Sequence, residues 1–277
     1  MKLFRSRGRH DAPAVAGSPL DQPVALYKAG RYVAAEAAAR AVAESRSTLP
    51  DDHAALVAWS VVGLATSAQG RHAEAVAVYD RLLPDFGRVF GAEGVLTLKL
   101  RSDRAQELAR LGRYTECEAE CAAVARIADR GGSPETGFAA AAARNGLAFA
   151  LTEQGRHEEA EATAREALAA QGGEQDRFTI TLLAVLARSL NGQGRHEEAL
   201  AAAERADALW QALPEGERHS ESGAAGMARA TALLGLGRTA EARTHAAAAH
   251  RARLAVHGPE HRGTADAQAL LDRIGPA

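Results

Sequence analysis

Two stretches of this chain decide its fold: LTEQGRHEEA at residues 151–160 returns as LNGQGRHEEA at residues 190–199 with two changes. The centre of the phrase is a glycine followed by arginine and then by tyrosine, histidine or threonine. Successive copies of this glycine lie 40, 42, 43, 39 and 43 residues apart, a drift that insertions in exposed loops permit. The chain is therefore built from repeats. The six glycines are Gly30, Gly70, Gly112, Gly155, Gly194 and Gly237.

The residues around each glycine keep a common register, with departures at Pro23 and Thr66 in the first two copies. Small residues stand seven positions before and five positions after the glycine, and leucine stands four before it. Leucine is too scarce for this to follow from composition. The small residues are Gly63, Ala105, Ala148, Ala187 and Ala230 before the glycine and Ala35, Ala75, Cys117, Ala160, Ala199 and Ala242 after it; the leucines are Leu26, Leu108, Leu151, Leu190 and Leu233.

Each copy predicts two helices joined at the glycine. Alanine/leucine-rich stretches such as 138–154 and 177–193 precede it, and the glycine tolerates the left-handed conformation that ends a helix. Stretches such as 158–170 and 197–210 follow it, with acidic residues in the first turn, where the helix dipole favours them. The small residues then allow two antiparallel helices to approach to roughly 8–10 Å.

This pattern of small residue, leucine, Gly-Arg-aromatic and Glu-Ala resembles the tetratricopeptide repeat over residues 20 to 275. The longer period and the linkers at 90–93 and 257–261 resemble the kinesin-light-chain-like subclass, and 144–146 and 101–103 partly match its Arg-Asn-Asn motif. The resemblance implies an all-α fold, an α-solenoid of stacked antiparallel helix hairpins in a right-handed superhelix.

The ends of the chain depart from the repeat, as the ends of solenoids do. Residues 1–19 predict a flexible basic tail, and residues 20–277 predict a solenoid of about six repeats. The first unit has a short leading helix at 21–29. A lone helix at 264–274 is expected to cap the last repeat.

Composition excludes several classes of protein. With 47% hydrophobic residues among 277 the chain can build a core, and 4% aromatic residues disfavour a β-sandwich. A net charge of -2 gives no global field toward nucleic acid or anionic membranes, so neither is expected as a partner. Without a secretory core or an apolar run of membrane-spanning length, a cytoplasmic protein is expected. Abundant alanine and an excess of arginine over lysine suggest a GC-rich bacterial genome.

Several groups of residues imitate chemical sites. Cys117 and Cys121 share one helix face and would suit half a metal site or a redox pair, but they occupy slots held by alanine or tyrosine in other repeats, which predicts packing. The repeated histidines at 72, 157 and 196 share a slot with tyrosines, which predicts aromatic-like packing rather than zinc ligation.

No recognisable equipment for catalysis follows from the sequence. The stretch at 235–240 imitates a dinucleotide fingerprint but lacks the preceding strand. No catalytic, cofactor or metal residue is assigned, and the protein is expected not to be an enzyme.

The arginines that follow the repeat glycines could form a ladder that binds phosphates. Five of them are accompanied by a glutamate four positions after the glycine, so we expect the ladder to be neutralised. These glutamates are Glu74, Glu116, Glu159, Glu198 and Glu241.

The resemblance also implies a binding groove. In this family the first helices line the concave face, and the offsets thirteen, ten, six, three and two before each glycine point inward. We call a selected set of residues at these offsets, from the third to the sixth unit, the groove row. Asparagine and arginine suit the amides and carboxylates of a peptide, although ordinary solvated positions explain the pattern equally well. The groove row comprises Lys99, Ser102, Gln106, Arg110, Asn145, Phe149, Thr152, Arg188, Asn191, Met227 and Thr231.

The leading hypothesis is a non-catalytic scaffold that binds a peptide or protein segment in this groove. The alternative is an intracellular peptide-sensing or regulatory protein that acts on a separate output protein. An enzyme or enzyme subunit is a third possibility, which a deep pocket lined by convergent titratable groups would favour. The oligomeric state is left open.

Overall fold

The structure, a computed structural model, describes residues 18–46, 51–170, 177–213, 223–259 and 262–275. All regular secondary structure in these ranges is helical, as the sequence predicts. Residues 1–17 of the expected basic tail fall outside them. The helices are α1 (Asp21–Lys28), α2 (Tyr32–Ser45), α3 (His53–Ala68), α4 (His72–Phe90), α5 (Val95–Arg110), α6 (Tyr114–Gly131), α7 (Pro134–Glu153), α8 (His157–Ala170), α9 (Arg177–Gly192), α10 (His196–Ala212), α11 (Ala224–Gly235), α12 (Thr239–His257) and α13 (Arg262–Ile274).

The repeat glycines form the turns between paired helices. All six have positive φ, between 72° and 79°. At each turn the N–H of the following arginine donates to the carbonyl of the residue four before the glycine, with N–O distances of 2.9 to 3.3 Å. This bond is the long one of a Schellman motif, which explains why the glycine and the fourth residue before it stay in register. The prediction of two helices joined at the glycine is confirmed.

The helices group into two compact units that divide between Asp85 and Phe86, inside α4. In the first unit α1 packs on α2 and α3, and α2 packs on α3. In the second unit each helix from α5 to α13 packs on its neighbour in sequence. The first helices of successive repeats also touch one another there, in the pairs α5 with α7, α7 with α9, α9 with α11 and α11 with α13.

Small residues build the core of each hairpin. The alanines at the two conserved small positions are all fully buried, and so is Cys117. A Cβ placed on Gly63 would lie 2.4 Å from the ring of Tyr79, so a side chain larger than hydrogen at this position would displace the tyrosine. Leucines of α9, including Leu182 and Leu190, fill the larger spaces of the second unit.

The helix ends differ from the predicted ones by a few residues. Helix α7 begins four residues earlier than 138, because Ser133 caps it: its hydroxyl accepts from the N–H of Thr136 and the Thr136 hydroxyl accepts from the N–H of Ser133. Helix α13 begins at Arg262 rather than at 264, and α1 ends at Lys28. Because α13 begins at Arg262, this arginine is the first residue of the helix.

Candidate functional site

The two ends of α5 place charged members of the groove row at the surface. Lys99 Nζ lies 2.6 Å from Asp103 Oδ2, and the guanidinium of Arg110 binds the buried carboxylate of Glu107. Burial raises the pKa of Asp103, although the charge of Lys99 counteracts this. Both basic side chains are therefore exposed but held in place by acids on their own helix.

Three other members of the groove row are engaged inside the protein. Ser102 and Thr152 are buried, and their hydroxyls donate to the carbonyls of Leu98 and Ala148 one turn back. The amide nitrogen of Asn191 donates to the carbonyl of Ala228 in the next first helix, at 2.8 Å. Ser102 and Thr152 thus bond to their own helices and Asn191 joins α9 to α11, so all three side chains are engaged within the protein and offer little to a ligand.

The remaining polar and apolar members of the groove row are half-buried. Gln106, Asn145, Met227 and Thr231 all fall in this class. Asn145 Oδ1 is enclosed and accepts no hydrogen bond from the part of the chain that the structure describes. Thr231 donates to the carbonyl of Met227.

The centre of the row is a cluster around Glu153, the last residue of α7. Its side chain is only 9% exposed. Arg188 of α9 binds Glu153 Oε1 and places its guanidinium over the ring of Phe149, 5.4 Å from the centroid. Tyr114 of α6 donates its hydroxyl proton to Glu153 Oε2 at 3.1 Å and packs edge-on against Phe149. We call Tyr114, Phe149, Glu153 and Arg188 the Glu153 cluster.

A fifth side chain reaches this cluster from the far end of the chain. Arg262, the first residue of α13, donates from Nη2 to Glu153 Oε2 at 3.0 Å and from Nη1 to the hydroxyl oxygen of Tyr114. Its guanidinium also lies over the Tyr114 ring, 5.6 Å from the centroid. One carboxylate of α7 thus binds two arginines and a tyrosine from three other helices, α6, α9 and α13.

Positive charge accumulates at this point. Arg253 of α12 is half-buried and donates to the carbonyl of Gly263 at 2.8 Å. Burial, and then the charge of Arg188, lower the pKa of Arg253. The acids near these arginines are Glu153 and Asp266. The three arginines Arg188, Arg253 and Arg262 thus outnumber the two carboxylates at this site.

The sequence reasoning includes Phe149 and Arg188 but misses Glu153, Tyr114 and Arg262. Glu153 stands two before Gly155, an offset that the groove row already uses for Arg110. Where other repeats place Gly192 or Gly235 at this offset, this one has an acid. This departure from glycine could have identified Glu153 from the sequence. The residues around Arg262, by contrast, do not indicate that Glu153 is its partner.

The repeated histidine slot has a packing role, as predicted. A Cβ on Gly192 would lie 2.4 Å from the ring of His157, and a Cβ on Gly235 would lie 2.4 Å from the ring of His196. Each histidine ring therefore lies flat against a glycine of the next first helix. Tyr114 occupies the same slot, opposite Glu153.

The arginine ladder is neutralised, as expected. All five arginines with a predicted glutamate partner bind it three residues along the helix. Three of them also bind a glutamate of the preceding repeat: Arg71 binds Glu36, Arg156 binds Glu118 and Arg195 binds Glu161. A phosphate would have to displace these carboxylates.

The glutamates of the ladder also explain why a glutamine recurs directly before the repeat glycine. Where a glutamine precedes the repeat glycine, its amide donates to the same glutamate at 2.8 Å; these pairs are Gln69–Glu36, Gln154–Glu118 and Gln193–Glu161. In the last repeat Leu236 replaces the glutamine and Leu200 replaces the glutamate. The two residues change together, polar with polar and apolar with apolar.

The cysteines are packing residues, as predicted. Both thiols are buried, with the two sulfurs 3.9 Å apart. A Cβ on Gly146 would lie 2.7 Å from the sulfur of Cys121, so this glycine makes room for the thiol. Among the residues described, no group of three or more histidine, cysteine or acidic side chains is placed to hold a metal ion.

A cavity of about 190 Å³ lies among α9 to α12 and bears on the enzyme alternative. Its walls are mostly alanine and glycine, with Trp210, Asp207 and His245 among the lining residues. Burial, and then the charge of Arg229, lower the pKa of His245, while Asp207 pairs with Arg229 at 3.6 Å. Asp207 in the cavity wall is therefore part of an ion pair with Arg229, which is a structural role rather than that of a base that activates a nucleophile.

Family models identify the repeats directly. Two models, both described as tetratricopeptide repeat, match residues 138–212 and 223–248. These two segments of the chain carry tetratricopeptide repeats. The matched segments include α8, α10 and α11, and the first of them contains most of the Glu153 cluster.

Solved structures with tetratricopeptide repeats share the fold. A protein of Podosopora anserina described as a kinesin light chain with nearly identical repeats is 18% identical, with 69% of this chain and 92% of that chain covered and a TM-score of 0.57. BtubC from P. vanneervenii is 20% identical over 86% and 92%, with a TM-score of 0.57. A Rap protein complexed with Competence and Sporulation Factor is 13% identical over 92% and 73%, with a TM-score of 0.62. These similarities confirm a helical tetratricopeptide solenoid.

No curated protein matches the sequence significantly. In the described part of the chain, every helix is too short or too polar to cross a membrane.

Proposed function

We propose that this protein is a non-catalytic interaction scaffold that binds a peptide or protein segment along the first helices of its second unit. Tetratricopeptide repeats typically mediate contacts between proteins, which supports this assignment. The net charge of -2 and the neutralised arginine ladder support a protein partner rather than a nucleic acid or a membrane. The kinesin-light-chain-like subclass, a bacterial origin and a cytoplasmic setting belong to the same proposal.

The observation that carries the proposal is the contact between α7 and α9. Arg188, six before its glycine, lies over Phe149, six before the preceding glycine, and binds Glu153. Equivalent offsets of successive repeats are therefore neighbours in space. The exposed charges of Lys99 and Arg110 on α5 extend the row, so that polar groups recur at the spacing of stacked helices. An extended or helical segment can bind several such groups at once.

The test is selection of ligands from a random peptide library on the wild-type protein, followed by calorimetry of the selected peptides. The double variant Lys99→Ala/Arg110→Ala removes two charges from the groove row. We expect its binding to weaken by about 1–3 kcal/mol, with unchanged helical circular dichroism. The matched control, Arg126→Ala/Arg205→Ala, removes two exposed charges from the second helices α6 and α10. Equal affinities of the two double variants would reject the groove.

The similarity to a Rap protein complexed with Competence and Sporulation Factor supports a second candidate, a peptide-sensing regulator of a separate output protein. A sensor must change conformation when its ligand binds, because only a difference in affinity between two states transmits a signal. Small-angle scattering of the protein with and without a selected peptide tests this. A changed profile favours the regulator, and an invariant profile favours the passive scaffold.

A further inference from the structure

We propose that the Glu153 cluster is a binding site for an arginine side chain of the partner, and that Arg262 occupies this site within the chain itself. The inference rests on the proposed groove and names the chemistry recognised at its centre. It assigns a binding role to Tyr114 and Glu153, and an inhibitory one to Arg262.

The geometry around Arg262 is that of guanidinium recognition. Its two terminal nitrogens donate to two different acceptors, Glu153 Oε2 and the hydroxyl oxygen of Tyr114, while its central carbon lies over the Tyr114 ring. A planar guanidinium can make these contacts at once, whereas the ammonium of lysine is a single point of charge. The cluster therefore discriminates between the two basic side chains.

The acceptors of the site are prepared by the fold. Glu153 is nearly buried, and Arg188 and the Tyr114 hydroxyl fix its two oxygens. A buried carboxylate oriented in this way loses little further freedom when a guanidinium arrives. Tyr114 is oriented in turn by its edge-on contact with Phe149.

Arg262 can leave this site while α13 stays folded. Its side chain is 57% exposed, and it is the first residue of its helix. The rest of α13 packs on α11 and α12 through Leu270, Leu271 and Ile274. The positive charges of Arg188 and Arg253 act on any guanidinium in the site, Arg262 and an incoming arginine alike, so the exposure of Arg262 is what allows its replacement. Arg262 is thus a displaceable competitor for an incoming arginine.

The competition has a calculable size. A side chain tethered beside its site acts at an effective concentration on the order of 10 mM, and a single arginine in a short peptide binds with a Kd on the order of 1 mM. Occupation by Arg262 then weakens apparent binding of the peptide roughly tenfold. Arg262→Ala removes the competitor without touching the core.

The experiment uses the full chain labelled with 3-fluorotyrosine, because the sequence has only 4 tyrosines and Tyr114→Phe assigns the resonance of interest. The probes are acetyl-Ala-Ala-Arg-Ala-Ala-amide and the same peptide with lysine or citrulline at its centre. We expect Arg262→Ala to shift the Tyr114 fluorine resonance, and the arginine peptide to bind this variant about tenfold more tightly than wild type. The lysine peptide should bind more weakly and the citrulline peptide should not bind. Arg273→Ala, an exposed arginine at the other end of α13, is the control and should behave as wild type.

Three results would overturn the inference. If the arginine peptide binds wild type and Arg262→Ala with equal affinity, Arg262 does not compete for the site. If the citrulline peptide binds as tightly as the arginine peptide, charge is not recognised. If the Tyr114 resonance is unchanged in Arg262→Ala and no peptide binds, no site exists there. Each of them leaves the proposed function standing if library peptides still bind through Lys99 and Arg110. Loss of library binding as well would reject both.

Discussion

Substitution of Gly192 by alanine gives the sharpest test of how neighbouring repeats fit together. A Cβ at this position would lie 2.4 Å from Cδ2 and Nε2 of His157. Because carbon atoms in contact prefer separations of 3.5–4.0 Å, the ring must move by about 1 Å or rotate out of its slot. The backbone conformation does not oppose the change, since Gly192 has an ordinary helical φ at the end of α9.

Two opposing terms set the size of the effect. Overpacking of this kind costs about 1–3 kcal/mol, while replacing a helical glycine by alanine returns up to about 1 kcal/mol. We expect Gly192→Ala to lower the free energy of unfolding by about 1–2 kcal/mol. In the His157→Ala background the ring is absent, so the same substitution should raise the free energy by about 0.5 kcal/mol.

The assay is urea unfolding followed by circular dichroism at constant m value, for the four proteins of the cycle. Gly137→Ala is the matched control, because this helical glycine of α7 has nothing within 4 Å of a Cβ, and it should stabilise slightly. If Gly192→Ala is as destabilising without His157 as with it, the contact between ring and glycine is not the cause and the reasoning fails.

Three further predictions concern the ladder and the thiols. Glu118→Leu and Gln154→Leu should each lower the free energy of unfolding by about 1 kcal/mol. The double variant should recover most of this loss, because Leu200 and Leu236 stand at these two positions in the last pair of repeats, and urea unfolding measures all three variants. Burial raises the pKa of Glu161, but hydrogen bonds from glutamine and arginine side chains lower it below its ordinary 4.5, so its contribution to stability exists above that pH and is lost as the pH falls through the folded pKa. Glu161→Gln should therefore flatten the loss of stability below pH 4.5, and a slope identical to wild type would contradict this. The two buried thiols of α6 should react with a thiol reagent only after unfolding, and fast reaction in the native protein would contradict their packing.

The hairpins could be predicted from the sequence because their determinants are local. Two local features define each turn. The glycine adopts positive φ, and the N–H of the arginine that follows it donates to the carbonyl five residues earlier. The burial of Cys117 and Cys121 follows in the same way from the slots that they share with alanine.

The centre of the site could be predicted only in part. Phe149 and Arg188 follow from their offsets, but the offsets do not distinguish an exposed side chain from a buried one, and Ser102 and Thr152 bond to their own helices. The contact of Arg262 with Glu153 joins residues 109 positions apart. It depends on small displacements added up over several repeats, which no local pattern records.

The paired changes along the arginine ladder bear on how such arrays can be rearranged. At three joints a glutamate of one repeat binds a glutamine of the next, and at the last both positions hold leucine, so the two halves of a joint belong to different modules. A module duplicated or transplanted as a whole would carry one half of each of two joints and meet foreign halves on both sides. Exchange of repeats is then tolerated where the residues on both sides of a joint are both polar or both leucine. A leucine opposite a glutamate would leave the carboxylate without its glutamine partner and identify an unfavourable junction.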